Sequence, residues 1–175
     1  MYLTAILKRN EMTQKIADYE QQLKEINEEL EDLRSYAANI ADGGVTIGEL
    51  MTTPTSMYNR HITFMNTSQQ YSQMTAASQL QLLISQPQYQ QLMMQQSGGN
   101  PQVELWYRNA AYQKFYEQAQ GKFVKFEQKL LHEKEKALIQ KQEALKGSLE
   151  SCKAQKDTYA KEAQEGLKER FSANG

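Results

Sequence analysis

Two histidines, one cysteine and one glycine-rich turn are the places where this chain could do chemistry. His61 and His132 are far apart in sequence, and Glu133 directly follows His132. Neighbouring residues of a helix point about 100° apart, so His132 and Glu133 cannot hold one metal ion or one proton between them. Both histidines read as solvated or packing residues rather than as an acid, a base or a ligand. The run Gly43-Gly44-Val45-Thr46-Ile47-Gly48 has glycines like those of a phosphate loop. It lacks the Lys-Ser/Thr ending and no strand precedes it, so it reads as a helix-ending turn. Cys152 falls on a line of apolar residues where a small packed thiol fits, and as the only cysteine it excludes an internal disulfide. Asn66-Thr67-Ser68 has the form of a glycosylation sequon. The N-terminus has no basic stretch leading into a long apolar run, so the sequon reads as chance.

No nucleophile, base and carboxylate converge in this pattern. The expectation is a chain with no catalytic residue, no metal and no cofactor, and with no small-molecule substrate. Nucleic acid is not expected as a partner either. Lys122, Lys125, Lys129 and Lys136 alternate with Glu127, Glu133, Glu135 and Glu143, which describes a solvated helix surface rather than a basic face.

The elements that would position these residues are clearer than the residues themselves. Between Glu49 and Glu104 the only formal charge is Arg60, while both flanks are dense in charge. Residues 1–49 carry an excess of five acidic groups and residues 104–175 an excess of three basic ones, so the flanks can attract each other. In the first flank Met12, Ile16, Tyr19, Leu23, Ile26, Leu30, Leu33, Ala37 and Ile40 alternate spacings of four and three. That is a coiled-coil seam, and Tyr2 and Ala5 extend it backwards past a polar Arg9. It predicts a helix over about 2–41, supported by Glu11–Lys15 and Glu20–Lys24 and stopped by Asp42-Gly43-Gly44.

The middle, about 46–96, predicts a short turn of helix before Pro54 and then a longer helix kinked near Pro87. Two adjacent stripes run along the longer helix. One is Met57, His61, Phe64, Ser68, Tyr71, Thr75, Ser78 and Leu82; its neighbour includes Ile62, Met65, Ser72, Ala76 and Leu83. Ser97-Gly98-Gly99-Asn100-Pro101 is a helix end followed by an N-cap and a first-turn proline. Beyond it the chain reads as one helix over about 101–171. Its seam begins as Leu105, Tyr112, Tyr116, Ala119, Phe123, Phe126 and Leu130, then shifts by one residue to Leu131, Leu138, Leu145, Cys152 and Tyr159. Gly147 and Gly166 weaken the distal part.

These elements imply an all-α fold in a single elongated domain, 1–175: an up-down-up three-helix bundle or helical hairpin with coiled-coil arms and a long projecting C-terminal helix. Leu23, Ile26, Leu30, Phe123 and Phe126 are its expected energetic centre. The implied function is a non-enzymatic coiled-coil assembly or scaffold protein that recognises protein helices and associates with its own copies. The hairpin plan with coiled-coil arms resembles, in general layout, accessory and filament proteins of type III and flagellar export systems. That resemblance implies a second reading, in which the uncharged middle meets a membrane or a secretion channel, although its many Gln and Ser side chains disfavour lipid. The longest apolar patch, around Leu80 to Ile84, is far short of a membrane span. The cytoplasm is the expected compartment, with export by a route needing no cleaved signal left open.

Overall fold

A computed structural model describes residues 2–41 and 47–172. The expected stop at Asp42-Gly43-Gly44 and most of the glycine-rich turn lie outside the described residues. The elements are α1 (Tyr2–Ala41), α2 (Ile47–Thr52), a 3-10 turn (Thr55–Met57), α3 (Tyr58–Ile84), α4 (Pro87–Ser97) and α5 (Pro101–Ser172). The predicted punctuation is where the helices break. Gln86 is extended, at φ −76° and ψ 126°, as a residue before proline must be, so α3 cannot run on into α4. Gly98 and Gly99 take φ of +58° and +80°, which a side chain would resist. The Gln102 amide donates to Asn100 Oδ1 at 3.0 Å, capping α5 behind Pro101.

The chain divides into two compact units. The first comprises residues 2–31 of α1 and 133–172 of α5. Partners on α5 fall in number as those on α1 rise: Glu20 pairs with Lys153 at 3.0 Å and Glu29 with Lys134 at 2.8 Å, so the two helices are antiparallel. Met12, Ile16 and Cys152 form a buried cluster with Tyr19, Leu149 and Tyr159 packed on it. The thiol is therefore a core group. The acidic and basic flanks meet here within one chain, and Glu20 reaches across to Lys153 rather than along its own helix to Lys24, which lies 3.7 Å from Glu28.

A projecting C-terminal helix is thus not what forms. Residues 133–172 have their apolar line covered by α1, because Leu138, Leu145, Cys152 and Tyr159 recur at the same heptad spacing as the α1 seam. Gly166 serves this pairing rather than only weakening it. A Cβ there would stand 3.0 Å from Tyr2 Cβ, so glycine lets α1 come close.

The second unit holds residues 32–132: the last turns of α1, then α2, α3 and α4, and the proximal part of α5. Here α3 runs antiparallel to α5, with Arg60 on Glu127 and Phe64 against Phe123, ring centroids 5.5 Å apart. The end of α1 also meets α5, through Tyr36 and Glu127, and meets α3 through the Tyr36 and His61 rings, 5.4 Å apart. The chain folds back along α1 between the two helices, since Thr53 lies beside Asn39 and Ser56 beside Asp32. Turning forward again, α3 runs parallel to the end of α1. The order is up-up-down, which corrects the up-down-up expectation. The cause is the extra reversal made by α2 and the 3-10 turn, too short to register as an arm of its own.

Candidate interaction surface

The interior of the second unit is built from polar groups that bind helix to helix. Arg60 Nε donates to Glu127 Oε1 at 2.6 Å, and the Tyr36 hydroxyl donates to the same oxygen at 3.4 Å. Glu127 and Tyr36 are both buried. Burial, and then the neighbouring carboxylate, hold the Tyr36 phenol far above its ordinary pKa. The hydrogen bond to Glu127 raises that of Arg60 as well. The lone charge of the middle segment therefore has a fixed partner, which sets the register of α3 on α5 and ties both to α1.

A second polar group sits beside it. Thr53 Oγ1 donates to the Glu49 carbonyl at 2.8 Å, which consumes its only proton. The His61 ring, 2.6 Å away through Nδ1, must then be the donor in that contact. His61 is neutral with its proton on Nδ1, leaving a bare Nε2 buried without a partner among the described residues. Burial lowers its pKa. Further along α3, Ser68, Ser72 and Ala76 present a buried line of small side chains, and the two hydroxyls have no hydrogen-bond partner among the described residues.

Above this interior lies an open groove of about 460 Å³, lined by Arg60, Thr63, Phe64, Thr67, Phe123 and Glu127. The surrounding helices expose large apolar groups: Tyr71, Met74 and Leu82 on α3, Leu92 and Met94 on α4, and Leu105, Trp106, Phe126 and Leu130 on α5. Trp106 packs edge-on against Tyr107, and Phe123 lies within 6.5 Å of both Tyr71 and Phe126 by ring centroid. Among the described residues no group of three or more His, Cys, Asp or Glu is placed to hold a metal ion.

The sequence-predicted seam of α1 is turned inward along its length. Met12, Ile16, Ile26, Leu30, Leu33 and Ile40 are buried, and Tyr19 and Leu23 half-buried. On α5, Leu131 is buried, while Leu138, Leu145, Tyr112, Tyr116 and Phe123 are half-buried. The exceptions lie in the proximal seam. Phe126 is 57% exposed and Leu130 37%, and Leu105 is exposed too, whereas Val124, Glu127 and Leu131 face inward. The one-residue shift comes before Leu130 rather than after it, between Ala119, buried on the first line, and Val124 and Glu127, buried on the second. An unbroken helix carries the line Leu131–Leu138 straight back to Glu127 and Val124, and that continuity prevails over the larger size of Phe126.

Periodicity alone did not reveal Tyr36, Thr53 and Glu127 as part of the site. The signal that points to Glu127 is Arg60 itself, since a single charge in an uncharged helix needs a counter-charge wherever that helix is packed. Comparison with models of protein families, with curated proteins and with solved structures finds no match.

Proposed function

We propose that this chain is a non-enzymatic helical assembly or scaffold protein, acting by helix–helix recognition and associating with further copies of itself. The observation that carries this reading is the set of large apolar side chains left open on the second unit, with Trp106 at 64% exposure and Phe126 at 57%. Apolar patches rimmed by polar residues mark protein contacts. The buried titratable groups support the same reading, because Arg60, Glu127 and Tyr36 bond helices to one another, and His61 is bonded to Thr53. Light scattering behind size exclusion tests it. A mass above that of one 20.2 kDa chain is expected at neutral pH, and a single-chain mass at every concentration would refute self-association.

The competing reading places the uncharged segment against a membrane or channel wall. No helix among the described residues is long and apolar enough to cross a membrane. Co-sedimentation with liposomes separates the two readings, since a scaffold of this kind leaves neutral vesicles unbound.

A further inference from the structure

We infer that the exposed stripe Tyr71–Leu82 along one edge of α3 pairs with the same stripe of a second copy. The inference rests on the self-association proposed above and names its contact. The inner side of α3 is spent: His61, Phe64, Ser68, Ser72 and Ala76 are buried. Beside that line Tyr71, which also touches Phe123 of α5, and Met74, Ser78 and Leu82 are all exposed, Met74 at 73% and Leu82 at 66%. Their spacings of three, four and four place them on one stripe, and the small Ser78 leaves a gap between two long side chains. A stripe of this spacing that faces water has the form of an unfilled helix seam.

Charge identifies the occupant. Every exposed residue of α3 and α4 is uncharged, and Arg60, the one charge they carry, is committed to Glu127. An ordinary soluble surface is about 25–35% charged, and interface centres are depleted of charge and enriched in Met and aromatics. The exposed sides of α1 and α5 are rich in Lys and Glu. Docking the neutral stripe on either would strip those charges of water with no counter-charge in return. The matching surface is the stripe itself. Gln and Asn amides flanking it, such as Gln70 and Gln81, both donate and accept, so a two-fold arrangement sets like against like with every amide able to pair. Lipid would leave those amides unsatisfied.

The size of the face sets the kind of contact. The stripe from Tyr71 to Leu82 is about 18 Å long, and a strip about 10 Å wide along it offers about 180 Å² per copy. That lies below the roughly 800 Å² per partner of stable complexes, even with Phe126 added at the edge through Phe123. The pairing is accordingly reversible and concentration-dependent.

Sedimentation velocity of the full chain between about 1 and 100 μM tests this, with the double variants Met74→Glu/Leu82→Glu and Met74→Lys/Leu82→Lys. The wild type should approach twice the single-chain mass as concentration rises. Each variant alone should stay at single-chain mass, with unchanged helical circular dichroism, and an equimolar mixture of the two should regain the double mass. If both variants associate like the wild type, the face is not the contact, while self-association stands. If the wild type stays at single-chain mass throughout, both fall. If the glutamate variant instead loses binding to phosphatidylcholine vesicles at unchanged mass, the face belongs to lipid and the inference is overturned.

Discussion

The two units use opposite means to hold helices together. In the unit of residues 2–31 and 133–172, the inside is apolar and the rims are charged, with Met12, Ile16 and Cys152 at the centre and Glu20–Lys153 and Glu29–Lys134 at the edges. In the unit of residues 32–132, charge is inside, on Arg60 and Glu127, and the outer faces of α3 and α4 carry none. The first arrangement suits a pairing complete in itself, because its charged rims remain solvated. The second leaves apolar and amide groups outward, where another neutral surface can meet them.

The largest effect should come from the apolar interior of the first unit. Replacing Ile26 and Leu30 by Ala removes two buried side chains, each worth about 2–5 kcal/mol. Urea denaturation should show a total loss within about 4–10 kcal/mol, enough to unfold a marginal domain. An unchanged midpoint would break the contrast by showing that this seam contributes little. A smaller loss, about 2–3 kcal/mol, is expected for Arg60→Ala, which leaves the buried Glu127 carboxylate without its cation. The joint replacement Arg60→Met with Glu127→Leu should recover most of that loss, because no buried charge is then left unpaired. If the double variant is as unstable as the single one, the ion pair is more than a register lock.

The smallest effect is a pH dependence confined to the second unit. His61 titrates below its ordinary value because it is buried, so the unfolded chain takes up the proton first. Stability should be full above the unfolded value of about 6.5 and decline as pH falls below it, by at most about 1.4 kcal/mol per pH unit. The His61→Phe variant should lack this component. Thermal melts at pH 7.5 and 5.5 check it, and equal slopes in the two proteins would remove His61 from the account.

How much of this was legible in the sequence differs between the units for the same reason. An apolar seam is a local, periodic signal, and Met12 through Ile40 announce it by spacing alone. Buried polar pairs carry no period. Glu127 looks like any charge on a solvated helix until Arg60, 67 residues away, is placed beside it. Tyr36 stands one residue from Ala37 on the seam, and only the arrival of Glu127 and His61 turns it inward.

The amino-acid sequence by itself determined that the described chain is helical, where its helices break at Pro87 and at Gly98–Pro101, and which side of α1 is apolar. Each of these follows from backbone sterics or from spacing along one helix. Only the tertiary structure decided that α3 runs parallel to the end of α1, that Val124 and Glu127 displace Phe126 from the inner face, and that residues 133–172 are covered by α1. Those choices depend on which helix meets which. A short reversal between Asn39 and Ser56 and the continuity of α5 settle that, and neither leaves a repeating mark in the chain.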